Sequence, residues 1–512
     1  MSGISPFAIS RTSLYLNSAR RGIAAALLAL CACYPLAYAQ QNAAPSPSTE
    51  TAEQKVQRLT AAMAQVHAQM GAYQKQLQDM QQQLADLQKQ LSAKGNAGQT
   101  AHGDEAAEEL AKSVDEIRER QAVVESQVAT QDQAKVESAS KYPVKVTGLV
   151  LFNGFVNTRQ VDAPPDPTYA VPGGGSTGLS FRQTILGVDA RGPHLFGASS
   201  RADVRVDFFA SGSQSGYDAG GVLRLRTAHA ALDWTNTEAF VELDRPLLSP
   251  NTPTSLVATA QPEFAWSGNL WTWNPQAGIT HEVSMSDSRA LKLQAAFIDV
   301  ADPHLPNSTS NLSAVSQAER SRWPGTEARI AFEAGKSGAG LEFGAGGYFS
   351  PHETYDGSRY NAWAGTLDFR APLSKYFEVT ANAYRGQALG GLGAGGFVDY
   401  IDFYQDAAET ARPLDDVGGW TQLKSRLSER IQLNGGYGID NPFAHQIRDS
   451  MTPAGTAAYP GLARNRSAFG NVIYSPSAYL IFSLEYRRLW TNYINGPTYP
   501  SDAIGIGAGY SF

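Results

Sequence analysis

Cysteine is almost absent from this 512-residue sequence, which contains only Cys31 and Cys33. Both lie before residue 40, in a stretch that is predicted below to be removed on export. We therefore expect no disulfide, thiolate metal site or cysteine nucleophile in the mature chain. The eight histidines show no zinc-ligand spacing, and neither a GxSxG elbow nor a phosphate-binding loop occurs. The sequence predicts no enzyme, no cofactor and no metal; a hydrolase built from Ser and His on membrane-embedded strands is the enzymatic alternative.

Long apolar runs are also missing after residue 39. Since no stretch of eighteen apolar residues occurs there, the sequence excludes a membrane-spanning helix in this part of the chain. The leader lacks acids and places Arg20 and Arg21 before an apolar run at 23–30 and a small-residue end, AYA. This order predicts a signal peptide over residues 1–39, with lipidation of Cys33 as the alternative. The net charge of −7 becomes more negative once the leader is removed, so nucleic acid is not an expected partner.

Residues 40–52 are rich in Pro, Ser and Ala and are predicted to be a flexible spacer. Residues 53–93 carry apolar residues at alternating steps of three and four, a heptad seam that predicts a coiled coil with other chains. A lone amphipathic helix is the alternative. Glycines then interrupt the pattern, so residues 94–141 are predicted to be a hinge and a second helical segment. The seam consists of Val56, Leu59, Met63, Val66, Met70, Tyr73, Leu77, Met80, Leu84, Leu87 and Leu91.

From residue 142 onward the apolar period changes to two, which indicates strands with one apolar and one polar face. Leu341, Phe343 and Ala345, for example, alternate with polar or small residues. About sixteen such strands, separated by short turns and long polar loops, predict an outer-membrane β-barrel over residues 142–512. The predicted fold class is an all-β transmembrane barrel of antiparallel strands with an N-terminal α-helical coiled coil.

Three long loops are predicted at residues 162–177, 302–322 and 386–396, and the glycine runs within the first and third are attributed to loop flexibility. Tryptophans near strand ends are expected to form the interfacial girdles of a barrel. They are Trp266, Trp271, Trp273, Trp363, Trp420 and Trp490.

The last ten residues, AIGIGAGYSF, predict a final strand with one apolar face and one face of glycine and serine. The apolar face ends in Tyr510 and Phe512. We predict that this aromatic end is the C-terminal signal that the barrel-assembly machinery reads.

Five stretches resemble the DcaP-type outer-membrane porins. They are RQTILGVDARGP, RADVRVDFF, LRLRTAHAAL, GNLWTWNPQAGIT and GYGIDNP, at residues 182–193, 201–209, 223–232, 268–280 and 436–442. The resemblance implies a trimeric porin that passes small organic anions, dicarboxylates among them, with its coiled coil in the periplasm. The sequence departs from the family after Glu242, where ELDRPLLSPNTPTSL replaces an expected glycine-glutamine strand start.

Charged residues that alternate with the apolar positions are predicted to face the lumen. Arginine suits an anion path because its planar guanidinium binds carboxylate or phosphate with two hydrogen bonds, and Arg224 and Arg226 lie two residues apart. The alternative is that inward acids neutralise the arginines in lumenal ladders. The pore-lining candidates are Arg182, Arg205, Arg224, Arg226, Arg370, Arg385, Arg487, Asp207, Glu242 and Glu485.

These features predict an exported outer-membrane porin. Small hydrophilic solutes are expected to diffuse passively through its lumen, which an inward loop narrows. The expected partners are outer-membrane lipid, two further copies of the chain, the barrel-assembly machinery and the solutes. The alternative function is an envelope-spanning anchor whose coiled coil contacts peptidoglycan or a periplasmic partner. A soluble secreted β-protein that forms trimers through its coiled coil is a third possibility.

Overall fold

The computed structural model describes residues 143–210, 221–303, 315–335, 340–405, 408–449, 461–494 and 496–512. The predicted signal peptide, spacer, coiled coil and second helical segment lie outside these residues. Within them the alternating pattern forms nineteen strands. The first ten are β1 (Val144–Val161), β2 (Ala170–Ser180), β3 (Ile185–Leu195), β4 (Ala198–Ala210), β5 (Val222–Asp233), β6 (Thr237–Asp244), β7 (Asn274–Ser286), β8 (Arg289–Ile298), β9 (Gly325–Ala334) and β10 (Leu341–Glu353).

The remaining strands follow the same pattern. They are β11 (Arg359–Pro372), β12 (Phe377–Gln387), β13 (Tyr400–Gln405), β14 (Ala408–Pro413), β15 (Asp415–Arg426), β16 (Ile431–Pro442), β17 (Arg464–Tyr474), β18 (Leu480–Asn492) and β19 (Thr498–Ser511). Two helices, α1 (Gln317–Arg320) and α2 (Ala444–Asp449), and two 3-10 turns at Gly390–Leu392 and Gly395–Phe397 lie in the connections. Neither helix of the described chain has the length and apolarity needed to cross a membrane.

Seventeen of the strands form one sheet, and β13 pairs only with β14 in a separate hairpin. β3 pairs with residues 144–149 of β1, and β2 pairs with residues 153–161, so β2 and β3 share one position beside β1. The sheet closes where β19 pairs antiparallel with β1, and Gly148 and Phe512 exchange two backbone hydrogen bonds of 3.0 Å. The result is a closed antiparallel barrel of sixteen positions, which confirms the predicted barrel and its strand count.

The outer face of β17 to β19 is layered by height. Phe482 and Tyr510 mark one end, aliphatic residues such as Leu484 and Ile506 follow, and Trp490 lies near the other end. From Phe482 to Trp490 the strand advances about 27 Å at ~3.4 Å per residue, or roughly 21 Å along the axis of a barrel tilted by ~40°, close to the ~25 Å apolar band of membrane barrels. The alternation in the sequence therefore produces a wall of the height that a bilayer requires.

The connections differ between the two ends of the barrel. At the end where β1 begins and β19 finishes, most connections are short turns, such as 196–197 and 287–288. At the other end they are long, such as 245–273 between β6 and β7. Outer-membrane barrels place short turns in the periplasm and long loops outside the cell. We refer to the two ends as the turn end and the loop end.

Two of the predicted loops are partly ordered elements. The prediction of a loop over residues 162–177 is wrong beyond residue 169, because Ala170–Ser180 forms β2 and its glycines pair with β1. Of the glycines in 386–396, Gly386 lies at the end of β12, four lie in the two 3-10 turns, and Gly393 lies between the turns; Gly393, Gly395 and Gly396 have positive φ angles of 98°, 62° and 59°. These glycines are therefore required by a fixed conformation, and flexibility does not explain them.

Candidate pore constriction

The connection between β6 and β7, residues 245–273, turns back into the barrel, and we call it the inward segment. It contains no helix or strand, yet Leu248, Leu256 and Leu270 are buried within it. Backbone groups that are shielded from water need hydrogen-bond partners. The barrel wall supplies these partners through its side chains, and this fixes the course of the segment across the lumen.

Inward-facing amide side chains of three strands bind the backbone of the inward segment. Asn382 of β12 donates to the Leu248 carbonyl at 3.2 Å. Asn471 of β17 donates to the Thr254 carbonyl at 2.9 Å, and the Thr254 N–H donates to Gln422 of β15 at 2.6 Å. Each buried hydrogen bond of this kind contributes about 1 kcal/mol net. The sequence analysis missed these residues, and the available signal was an Asn or Gln at an inward position of a strand.

Gln183, between β2 and β3, is a further anchor that the sequence analysis missed. It is fully buried, and its Nε2 donates to the Val257 carbonyl at 2.8 Å. Its Oε1 accepts hydrogen bonds from the N–H groups of Thr259 at 2.8 Å and Ala260 at 3.1 Å. The interruption between β2 and β3 thus places one amide where it binds the backbone of three residues of the segment within a stretch of four.

The inward segment packs against the glycine face of β19. A Cβ atom at Gly505 would lie 3.1 Å from the Val257 Cγ2, and one at Gly507 would lie 3.1 Å from the Leu256 Cδ2. Both distances are shorter than ordinary carbon contacts, so a side chain at either position would collide with the segment. The small face predicted for the last strand is therefore explained by close packing on its lumenal side.

We expect Gly507→Leu to lower the single-channel conductance, because the larger side chain displaces Leu256 from the wall toward the open part of the lumen. Ala508→Leu is the matched control, since Ala508 is the next residue of the same strand and lies on the outer face beside Phe152 and Phe482. Conductance of both variants is measured in planar bilayers. Equal conductance of Gly507→Leu and the wild type would contradict the described packing.

Arg487 of β18 binds the inward segment and the β1–β2 connection to the barrel wall. The side chain is 5% exposed and binds Glu263 of the segment, Glu485 of its own strand at 3.0 Å and Asp166 of the β1–β2 connection at 3.4 Å. Its Nη1 also donates to the Pro167 carbonyl at 2.5 Å. Burial raises the pKa of Asp166 to about 7 and raises that of Glu263 as well, although Arg487 lowers both. Arg487 and Glu485 face the lumen, but the segment covers them from water.

We expect Arg487→Gln to destabilise this packing by about 3–5 kcal/mol, because it leaves buried carboxylates without their cation. The folded protein binds a proton on Asp166 between the unfolded pKa of 3.8 and about 7, so this group's contribution to stability is greatest at low pH and falls as the pH rises through that window. The loss in Arg487→Gln is therefore expected to be larger at pH 8 than at pH 5.

Thermal unfolding at the two pH values measures this difference. Arg488→Gln is the control, because Arg488 is the neighbouring residue on the outer face and its pair with Asp502 is 40% and 32% exposed. Such exposed pairs contribute little. An equal loss for the two variants, or a loss of Arg487→Gln that does not depend on pH, would contradict the described role of Arg487.

Arg224 and Arg226 lie beside the inward segment, as a bulge in β5 turns both toward it. The Arg224 guanidinium binds Asp207 through two hydrogen bonds of 3.0 and 2.6 Å and donates to the Ala260 carbonyl at 2.9 Å. Arg226 lies 3.9 Å from Asp207, and within the described chain its Nη1 has no hydrogen-bond partner. The indole of Trp273 lies 5.0 Å from the Arg224 guanidinium and 5.2 Å from that of Arg226. Two arginines therefore share one buried acid at the edge of the segment.

The remaining predicted lumenal residues are paired. Arg370 of β11 binds Glu342 at 3.0 Å, and Arg329, which the sequence analysis missed, binds Glu342 at 2.7 Å and Asp368 at 2.6 Å. This arrangement is the ladder of mutual neutralisation that the sequence left open.

Arg205, Glu242 and Arg182 also have partners. Arg205 binds Asp189 of β3. Glu242 lies 3.7 Å from His229. Arg182 lies in the wall between β2 and β4, where it donates to the Ala210 carbonyl at 3.2 Å.

The prediction that Arg385 lines the pore is wrong. On β12, Asn382 and Tyr384 share the face that contacts the inward segment and the buried core, and Arg385 lies on the opposite face with Val379 and Ala381. Its guanidinium binds Asp415 at 2.7 Å and lies 5.5 Å from the ring of Trp363, an outer-face residue. Arg385 therefore belongs to the outer rim of the barrel.

The tryptophan girdle is also only partly as predicted. Trp363 and Trp490 lie on the outer face, but Trp266, Trp271 and Trp420 are 6%, 7% and 4% exposed in the interior. Trp266 stacks on Phe397 with ring centroids 3.7 Å apart, and Trp420 stacks on Phe264 at 6.0 Å. These aromatic pairs hold the inward segment against the wall and the loop-end connections.

Water reaches the two sides of the lumen unequally. On β4 and β6, Arg201, Arg205 and Glu238 are 43%, 29% and 27% exposed. Across the barrel, Asp368 and Glu485 are 0% and 1% exposed because the inward segment and the neighbouring side chains cover them. The open part of the lumen therefore borders β4 and β6 near Arg201, Arg205 and Glu238, whereas Asp207 of β4, beside the inward segment, is 0% exposed.

No protein-family model matches the chain, and no curated protein matches its sequence. Among solved structures, it is similar to the outer membrane channel DcaP of Acinetobacter baumannii, with 16% identity and a TM-score of 0.53 over 73% of this chain and 99% of that chain. The anion-selective porin from Comamonas acidovorans matches with 11% identity and a TM-score of 0.43 over 73% and 100% of the chains. The predicted resemblance to DcaP-type barrels is confirmed at the level of the fold.

Proposed function

We propose that this chain is an exported outer-membrane porin through which small hydrophilic solutes diffuse passively. The observation that carries the proposal is the unequal filling of the lumen. The inward segment packs on one side, while charged side chains such as Arg201 and Arg205 on the other side remain 43% and 29% exposed. Ionised groups held at the inner surface of a barrel favour a water-filled path.

The arginines beside the inward segment supply hydrogen-bond donors that suit organic anions as solutes. Arg224, Arg226 and Arg245 lie at this level, and the acids near them are Asp207, Asp244, Glu242 and Asp166. Since Asp207 already accepts two hydrogen bonds from Arg224, Arg226 retains donors for a solute carboxylate. Dicarboxylates fit this chemistry, because a second carboxylate can meet another arginine of the same group.

The proposal extends to location and assembly. The barrel crosses the outer membrane with its turn end in the periplasm, and the coiled coil of residues 53–93 joins three copies there. Tyr510 and Phe512 lie exposed on the outer face at the turn end, 50% and 45% accessible, where the barrel-assembly machinery can bind them. The trimer and this recognition rest on the sequence pattern and on the exposed position of the aromatic pair.

Swelling of proteoliposomes tests the proposed transport. We expect liposomes that contain the folded barrel to swell in isosmotic succinate faster than in a neutral sugar of similar size. Barrels whose fold is verified by heat-modifiable migration, but which admit neither solute, would contradict the porin function and favour the structural anchor. Equal rates for the two solutes would contradict the anion preference alone.

A further inference from the structure

Three arginines form a cluster on the outer face of the barrel near the loop end. Arg464 and Arg466 lie on β17, and Arg488 lies on β18 opposite Ala468. Residues that alternate with them, such as Arg487, face the lumen, so the three guanidinium groups project on the side that contacts the membrane. We call Arg464, Arg466 and Arg488 the arginine cluster.

The cluster carries excess positive charge. Asp502 of β19 binds Arg488 at 2.9 Å and also accepts a hydrogen bond from the Tyr486 hydroxyl at 2.6 Å. The Nε of Arg464 donates to the neutral side chain of Asn441, and no acid in the described chain is paired with Arg464 or Arg466. One carboxylate therefore faces three guanidinium groups.

Trp490 holds the cluster in place. Its ring lies 5.8 Å from the Arg466 guanidinium and 5.5 Å from that of Arg488, so the indole separates two cations and interacts with both. Within the described residues, the Nε of Arg466 has no hydrogen-bond partner. This Nε is shielded from water, so the cluster contains a guanidinium group with an unused donor.

The wall below the cluster is apolar and locally recessed. Gly435 of β16 pairs with Gly470 of β17, and Gly470 pairs with Tyr486 of β18. Tyr437 and Tyr486, 42% and 47% exposed, border this pair of glycines. Further toward the turn end the face consists of Val472, Leu484 and Ile506, which are 42%, 55% and 48% exposed. The surface thus changes from cationic to aromatic to aliphatic within a few residues along each strand.

We propose that the arginine cluster binds the phosphate headgroup of an outer-leaflet lipid, with the lipid's acyl chains lying along the recessed wall beneath it. Arginine binds phosphate through parallel hydrogen bonds, and basic pockets at the headgroup level are typical of phospholipid recognition. Trp490 lies at the loop-end limit of the apolar band, the height where aromatic side chains meet headgroups, and Tyr486 lies beneath it in the band. A diphosphorylated glycolipid fits best, because two phosphates match the two arginines that lack an acid.

Native mass spectrometry of the detergent-solubilised full chain tests this site. The probe is diphosphorylated lipid A, compared with its dephosphorylated form. We expect the wild type to bind the diphosphorylated form, and the variant Arg464→Gln/Arg466→Gln to bind it roughly 10-fold more weakly or worse, since charge-assisted hydrogen bonds to two guanidinium groups are lost. The control Arg191→Gln/Arg289→Gln removes the same charge from exposed residues at the turn end and should bind like the wild type.

Three results would overturn the inference. They are equal affinity of the wild type for the two lipid forms, equal affinity of the cluster variant and the control, and dissociation of the oligomer in the cluster variant. The last result would assign the face to a contact with a second copy. The inference rests on the proposed outer-membrane location. Conductance distinguishes a failure of lipid binding from a failure of the porin function, because a variant that conducts normally but binds no lipid leaves the porin function intact.

Discussion

Replacing residues 246–272 with an Asn-Gly link will raise the single-channel conductance several-fold. The link is geometrically feasible because Asp244 of β6 already pairs with Asn274 of β7, so a short hairpin can join the two strands. The replacement removes the inward segment, which covers the lumenal wall of β10 to β18. Ion selectivity should weaken at the same time, since the open lumen no longer forces solutes past Arg226.

This variant requires proof of folding, which heat-modifiable migration of the barrel supplies. A milder variant, Gln183→Ala, keeps the segment but removes its bonds to Val257, Thr259 and Ala260. We expect it to fold and to show a noisier and higher conductance than the wild type. Folded barrels of both variants with wild-type conductance would contradict the idea that the segment forms the constriction.

Arg226→Glu is the second change with a large expected effect, and it should move the reversal potential from anion preference toward cation preference. Arg226 has no hydrogen-bonded acid in the described chain and lies 3.9 Å from Asp207, which stays bound to Arg224, so the substitution reverses the charge at the constriction without removing a hydrogen bond. The shift should be large in 0.1 M salt, where the Debye length is about 10 Å, and small in 1 M salt, where it is about 3 Å.

Arg359→Glu is the matched control for this charge reversal. Arg359 is 80% exposed at the β10–β11 turn and pairs with Glu353 at 2.7 Å. The same change in total charge there should leave the reversal potential close to that of the wild type. A similar shift in both variants would mean that the overall charge of the protein, rather than Arg226, sets the selectivity.

The fold could be predicted because local rules decide it. Alternation of apolar and polar residues determines the two faces of each strand, and the glycine face of the last strand anticipates close packing on one side. The same rule applies to Arg385, which shares its parity with Phe377, Val379 and Ala381, the apolar positions of β12. Its outward position was therefore available from the sequence, and its assignment to the lumen was an error of register.

The constriction could be predicted only in outline, because its contacts join distant parts of the chain. An inward loop is expected for a barrel of this size. The acids that bind Arg487 are far from it in sequence, since Asp166 is 321 residues and Glu263 is 224 residues away. No periodic pattern reports such pairs, and so the sequence did not distinguish covered arginines from exposed ones. The stretch after Glu242 that departs from the DcaP-type pattern is the stretch that ends β6 and enters the lumen.

The central claim is that the barrel contains a continuous aqueous path past the inward segment, and the current through the wild-type protein in a planar bilayer tests it most directly. We predict stepwise conductance in groups of three, with a reversal potential in a salt gradient that favours anions and a block by added dicarboxylate. Protein that is folded and inserted but passes no current would contradict this account and would identify the barrel as an anchor.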